Sequence, residues 1–516
     1  MNIRELLNGI EIIDTLNEKN LEIRGIAYNS KKVEEGFLFV AIKGYKTDGH
    51  KYLGQAVESG AIAALVQEFD ENLKIPQFLV KDSRSALAFA AGNFYDHPSK
   101  KMKAIGVTAT NGKTTTSFMI NAMLENYKLK TGLVGTVVIK ADDESIASDL
   151  TTPESLDLQG HMDYMIKKGV SHLTMEVSSS ALELSRVAGV DFDVVTFNNI
   201  SREHIDLHGT FENYFKVKSS LVTEAKEGSF AILNLDSKES ASLADKTKAS
   251  VVTFGIQNKE GNLYCKNLDI STGRAKFTVE VMKSFKAGQA LYEKGMEFPI
   301  SLAVPGYHSV CNAMVTIAVG MVLNIPIDVI QSSFGIFQGV ERRFEFIYED
   351  EFKIIDDHFA NSGNIDVTLE TLNFMDYKNL ILVYAIRGSR GPIVNKENSD
   401  AIVKWSKNLG FHRIIATKSQ EFTTEKDIVT DEEVEVFETT MTENNIKYEL
   451  HDELTSAIEE ALKEAGKDDV ILLAGCQGMD YGASVALRLI HKNNPSIDKE
   501  KLFAPLSERV CGIIED

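Results

Sequence analysis

Residues 104–108 are apolar and lead directly into Ala109-Thr110-Asn111-Gly112-Lys113-Thr114-Thr115-Thr116. An amphipathic stretch follows at once: between positions 114 and 124, Phe118, Met119, Ala122 and Met123 recur at helical spacing. A buried strand, a Gly-Lys-Thr turn and a helix in immediate succession are the context of a phosphate loop. Backbone N–H groups and the helix N-terminus then form a positive end for phosphates. Lys113 can reach the β- and γ-phosphates of ATP, and the Thr114 hydroxyl is placed to ligate Mg²⁺. Residues 109–115 are therefore the expected nucleotide contacts. Val107 stands where the general pattern G-x-x-x-x-G-K-[ST] has its first glycine. The bland alternative is a strand-turn-helix junction that happens to contain Gly-Lys-Thr.

A chain of 516 residues is too long for one ordinary domain and suggests about three. Around the loop the pattern is doubly wound α/β, with buried strands expected at 104–108, 173–177, 194–197 and 230–235. The polar, proline-containing Asp96-His97-Pro98-Ser99-Lys100-Lys101 reads as a linker. A second boundary falls near 335–340. Beyond it, 352–355, 380–384, 413–417 and 470–474 read as strands alternating with helices. The expected domains are 1–100, 101–338 and 339–516.

A net charge of -20 disfavours nucleic acid and anionic membranes as partners. It also means that any phosphate site must be built locally from amides and a few cations. No apolar run reaches the ~18 residues of a membrane helix. The acidic N-terminus, MNIRELLNGIEIIDTL, lacks a signal-peptide pattern. Cys265, Cys311, Cys476 and Cys511 have no metal-ligand spacing, and a reducing cytoplasm is expected.

Thr108-Ala109-Thr110-Asn111-Gly112-Lys113-Thr114-Thr115-Thr116 resembles the loop of the Mur ligases, with alanine at a usual glycine. Four further segments carry the resemblance: Thr151-Thr152-Pro153-Glu154, Glu176-Val177-Ser178-Ser179-Ser180-Ala181-Leu182 followed by Arg186, Asn199-Ile200-Ser201-Arg202-Glu203-His204-Ile205-Asp206-Leu207-His208-Gly209, and Tyr214-Phe215-Lys216-Val217-Lys218-Ser219-Ser220-Leu221. The resemblance implies that Thr151, Thr152, Ser178 and Arg186 hold a UDP-linked substrate. It places Glu176 and His204 on Mg²⁺ and implies that Lys218 is carbamylated, which turns a cation into a metal-binding anion. The bland reading of Lys218 is a solvated helix lysine. Ser180 replaces the family histidine. Asn312, in Gly306-Tyr307-His308-Ser309-Val310-Cys311-Asn312-Ala313, would lie near the nucleotide.

In the first hundred residues, Ala27-Tyr28-Asn29-Ser30-Lys31-Lys32-Val33, then Gly36-Phe37-Leu38-Phe39-Val40-Ala41 and Asp48-Gly49-His50, resemble the uridine-binding domain of the branch that adds the third residue to a UDP-linked peptide. That likeness places Ser30 and the Tyr45-Lys46-Thr47 loop at the UDP moiety. In the last domain Arg343 matches an arginine on ATP phosphate, although its preceding glycine is Arg342 here, and Asp357 matches an aspartate at the nucleotide. The D-N-P-R motif that grips diaminopimelate aligns with Ser419-Gln420-Glu421-Phe422 and is absent; the late G-K-G-H-E-D-Y motif becomes Gly475-Cys476-Gln477-Gly478-Met479-Asp480-Tyr481. Diaminopimelate is thereby disfavoured as donor.

The implied protein is a monomeric, cytoplasmic, ATP- and Mg²⁺-dependent amide ligase with Lys113, His204, Lys218 and Arg343 as catalytic groups. It would join a free amino acid to a UDP-linked peptide through an acyl phosphate, in cell-wall peptide synthesis. The alternatives are a ligase for an archaeal pseudomurein-type peptide, a ligase for another carboxylate, and a non-catalytic paralogue.

Overall fold

Near-continuous apolar strands separated by helices demand a parallel sheet covered on both faces. The computed structural model describes all residues except 45–46, 202–207, 412, 508, 510 and 515–516. It divides into two units, one of Met1–Leu263, Met282–Glu293 and Val315–Val329, the other of Tyr264–Val281, Lys294–Met314 and Ile330–Asp516.

The first unit contains two such sheets. The N-terminal one runs Asp14–Leu16, Gln77–Leu79, Ala61–Val66, Phe37–Val40, Gly25–Ala27, parallel except at its first edge. The second has parallel order Ser250–Gly255, Phe230–Asn234, Val194–Phe197, Lys103–Thr108, His172–Glu176, Thr131–Val134. The antiparallel strands Val138–Ala141 and Glu144–Ala147 extend it. After Lys103–Thr108 the chain first builds strands on one side and later on the other. The crevice beyond the carboxyl end of Lys103–Thr108 is thus the topological switch point where such sheets bind ligands. The helix Lys113–Asn126 starts there.

The second unit has a six-stranded sheet, Glu345–Glu349, Lys353–Asp357, Val470–Ala474, Leu380–Ala385, Arg413–Thr417, Lys447–His451, antiparallel only in its first pair. Both faces are covered, one around Ile355, Leu382 and Phe437, the other around Ile354, Val383 and Leu473. An antiparallel ladder pairs Arg274–Val281 with Glu297–Pro305.

The expected strands are present within one to two residues, and the segment expected to be a linker is a packed turn. Asp96 and His97 adopt left-handed backbone (φ 55° and 47°) and turn the chain sharply. Pro98 and Ser99 are buried in a short 3₁₀ turn, and the Ser99 hydroxyl accepts from the Asp191 N–H at 3.0 Å. Polar composition signals a turn, and here that turn is packed into the first unit. Among the described residues no helix is long and apolar enough to cross a membrane.

Candidate functional site

Gly112, at φ 89°, lets the chain turn from strand to helix, a conformation that costs any residue with a Cβ. The preceding turn is clamped from the neighbouring strand end. The Asn199 side-chain carbonyl accepts from the N–H groups of Thr110 (3.1 Å) and Asn111 (3.0 Å), and its amide donates to the Asn111 carbonyl at 2.9 Å. Lys113 folds back to donate to the carbonyls of Ala109 and Thr110, both at 3.0 Å.

The buried carboxylate of Glu176 lies beside this loop. It accepts from the Thr114 hydroxyl (3.0 Å), the Thr136 N–H (2.8 Å) and the Thr136 hydroxyl (3.1 Å). Gly135 makes room for it: a Cβ there would sit 2.5 Å from the Glu176 Oε1. Thr114 and Glu176 together offer a hydroxyl and an anionic oxygen, donors suited to a hard cation that retains several waters. His204 lies outside the described residues. Among those described, no group of three or more His, Cys, Asp or Glu side chains forms a metal-binding cluster.

Lys218 is not a solvated helix lysine; it is 1% exposed. Its amine donates to the Ala109 carbonyl and, at 3.1 Å, to the Tyr214 hydroxyl, which is itself 3.1 Å from the Thr110 hydroxyl. Lys113 and Lys218 thus converge on one carbonyl of the loop.

The residues implied for the UDP-linked substrate adjoin this centre. The Thr152 hydroxyl donates to the Glu176 carbonyl (2.8 Å) and accepts from the Ser178 N–H (3.2 Å), and Thr151 meets Thr136 at 3.1 Å. Arg186 donates to the Thr152 carbonyl at 3.0 Å and pairs with Glu154 at 2.9 Å. Glu154 also holds Arg84, at 3.1 Å, from the N-terminal sheet's helix Ser83–Phe94. Tyr28 donates to Asp157 at 2.5 Å, and burial first, then this carboxylate, raises its pKa far above the ordinary phenol value. Ser30 is buried and donates to Gln55 at 2.9 Å, whereas Thr47 meets Tyr52 at 3.2 Å near the surface. Tyr45 and Lys46 lie outside the described residues.

Arg84, Asp157 and Thr136 were missed in the sequence. Their partners lie 40 to 129 residues away, and no local pattern marks them. Tyr28, Asn199 and Tyr214 stood inside quoted segments but had no role assigned.

In the second unit, Arg343 and Asp357 come together. Asp357 accepts from the Phe344 N–H at 2.6 Å and the Thr368 hydroxyl at 2.8 Å. Burial pushes its carboxyl up to about 6, against the opposing pull of the Thr368 bond and the Arg343 charge. Asn312 is buried on the helix Tyr307–Val322. His308, on the same helix, has its pKa held down to about 4 by burial and then by Arg343.

The Asp357 value has a testable consequence. Between 3.8 and about 6 the folded chain holds a proton that the unfolded chain has released, so this group makes stability fall as pH rises through that window. The change is roughly 3 kcal/mol from the difference between the two values. Urea unfolding of Asp357→Asn from pH 4 to 7 should lack this component; identical pH slopes for parent and variant would refute it.

Strand, left-handed glycine, helix and shielded carboxylate define a phosphate-loop α/β protein. Three family models match in order: "Mur ligase family, catalytic domain" at residues 22–95, "Mur ligase middle domain" at 107–320, and "Mur ligase, glutamate ligase domain" at 342–477. A UDP-N-acetylmuramoyl-L-alanyl-D-glutamate–2,6-diaminopimelate ligase of Caldanaerobacter subterraneus subsp. tengcongensis is 34% identical over 92% of this chain and 94% of its own. A solved structure bearing the same enzyme name aligns with TM-score 0.69 at 21% identity, over 93% of this chain and 94% of that one. A MurF ligase of Thermotoga maritima in complex with ADP aligns with TM-score 0.60 at 21% identity, over 92% and 99%. The chain belongs to the Mur ligase family, and the α/β organisation in three family domains is the one its sequence led us to expect.

Proposed function

We propose that this chain is an ATP-dependent, ADP-forming ligase that joins an amino acid to the carboxylate of a UDP-linked muramyl dipeptide in peptidoglycan synthesis, in the cytoplasm. One observation carries the reading. Glu176 bonds through its side chain to Thr114 of the phosphate loop and through its backbone carbonyl to Thr152 of the acceptor motif. The groups proposed for nucleotide and for acceptor thereby meet at one residue. The 34% identical ligase supports the choice of acceptor.

The physical obstacle is the approach of an anionic carboxylate to an anionic γ-phosphate. Lys113 and Arg343 would offset the charge that grows in the transition state. Thr114, Glu176, His204 and a carbamylated Lys218 would hold Mg²⁺, which when bound neutralises phosphate charge. The acceptor oxygen attacks the γ-phosphorus and ADP leaves. The donor amine then attacks the acyl carbon, and phosphate departs with the former carboxylate oxygen. Thr151, Thr152, Ser178 and Arg186 would orient the acceptor, with Ser30 and the 45–47 loop at its uridine. Asn312 and Asp357 would serve the nucleotide.

The surroundings of Lys218 suit a carbamate. Tyr214 can turn its hydroxyl to donate instead of accept, and the Ala109 carbonyl can take the carbamate N–H. Protein prepared in ¹³C-bicarbonate should show one carbamate carbon resonance that is lost in Lys218→Met; no such resonance would remove the modification from the scheme.

For the donor we propose an amino acid other than diaminopimelate. Where the resemblance puts the arginine of D-N-P-R, Phe422 stacks on Tyr481 with ring centroids 4.6 Å apart. ADP release in the presence of UDP-muramyl dipeptide and a panel of amino acids tests the whole reading. Release should need acceptor and donor together, with diaminopimelate a poor donor. Diaminopimelate as the best donor would overturn the donor proposal, and no stimulation by any pair would overturn the ligase.

A further inference from the structure

Arg343 sits between two residues of left-handed backbone, Arg342 at φ 56° and Phe344 at φ 51°. Neither is glycine, so the turn persists only because its surroundings impose it. One flank is fixed by the Phe344 N–H on Asp357 at 2.6 Å. The other is fixed by a cage. The Arg342 N–H donates to Glu345 Oε2 at 2.8 Å, and the Arg342 carbonyl accepts from the His358 N–H at 2.9 Å. Its guanidinium reaches Asp480, Asp356 at 3.4 Å, and the carbonyls of Gly475 (2.5 Å) and Cys476 (3.1 Å).

A second arginine completes this cage from the far end of the chain. The side chain of Arg509 is 2% exposed and pairs with Glu345 Oε2 and, at 2.8 Å, with Asp356 Oδ2. The tail around it is tied down as well: Ser484 donates to the Gly512 carbonyl and Arg488 to the Ile514 carbonyl, both at 2.6 Å. The same oxygen of Glu345 thus holds the Arg342 backbone and meets Arg509. Without Arg509, three carboxylates (Glu345, Asp356, Asp480) would face Arg342 alone. Arg342 would be drawn toward the uncompensated pair, and nothing else in the cage would keep Glu345 on its N–H.

We infer that Arg509 is a positioning residue: through Glu345, Asp356 and Arg342 it fixes the turn that presents Arg343. The inference rests on the proposal that Arg343 meets the nucleotide. It makes the C-terminal tail a working part of the ATP end of the reaction, 166 positions from the arginine it serves.

The test is a double-mutant cycle on the full-length protein with Arg343→Met, Arg509→Met and the double variant, following kcat and the KM of each substrate. Arg509→Met should lower kcat/KM for ATP on the order of 10²-fold, the scale of a small misplacement of a catalytic group. The KM values for acceptor and amino acid should not change. The double variant should be no worse than Arg343→Met alone, because both changes remove one function. Additive losses, or equal effects on all three substrates, would show a general structural role and overturn the inference.

Arg509→Met/Glu345→Gln removes one charge of each sign and serves if the single variant does not fold; a normal KM for ATP in that folded variant would also overturn the inference. The same cycle read by calorimetry with a non-hydrolysable ATP analogue needs no turnover, so it stands even if the donor is never found. An Arg343→Met variant that binds the analogue normally would sink the reading of Arg343 itself. Impaired Arg343→Met beside unimpaired Arg509→Met would sink only the positioning role.

Discussion

Lys113→Ala should lower ADP release by about 10³-fold, the scale on which a single cation at a transferring phosphoryl group acts. The Lys113 amine lies on the loop's own carbonyls of Ala109 and Thr110, at the start of a helix facing the sheet's switch point. It is therefore held where phosphate charge would arrive. The side chain is only half-buried, so its loss leaves no cavity in the core. Circular dichroism should show an unchanged fold, with all the loss in turnover. Lysine to arginine should not rescue fully, because a planar fork cannot replace a compact ammonium folded into a tight loop. Retention of more than a tenth of parental activity in Lys113→Ala would contradict this role.

Glu176→Gln should cost about 10² to 10³-fold, with a raised Mg²⁺ requirement, through the loss of one anionic oxygen beside the phosphates. Glutamine keeps the shape and one acceptor for Thr136 or Thr114, so the fold should survive. Glu176→Ala should also destabilise, by about 1–3 kcal/mol, because the buried Thr114 hydroxyl loses its acceptor. Comparing the two variants separates charge from packing. If the glutamine variant turned over normally at low Mg²⁺, the metal role of Glu176 would be wrong.

The loop and its flanking elements were legible because they are local: an apolar strand, a Gly-Lys-Thr turn and a 3.6-residue stripe lie within some twenty consecutive residues. The same holds for the strands of the second unit, whose apolar runs gave their positions within one or two residues. Arg84 on Glu154 and Tyr28 on Asp157 were not legible, because each pair joins polar residues far apart in the chain and no period marks them. Arg342 was visible only as a missing glycine. Its left-handed backbone meets the same steric demand, and its guanidinium supplies the anchors that make the strain tolerable. That the Asp96–Lys101 linker is packed was not legible for a related reason: composition reports a turn but not whether that turn is buried.

The acyl-phosphate route can be followed atom by atom. Acceptor peptide labelled with ¹⁸O in its reacting carboxylate should transfer one labelled oxygen to each phosphate released with ADP when a productive donor is present. Phosphate free of label, formed alongside the amide product, would mean that the carboxylate is never phosphorylated, and the roles given to Lys113, Glu176 and Arg343 would have to be abandoned.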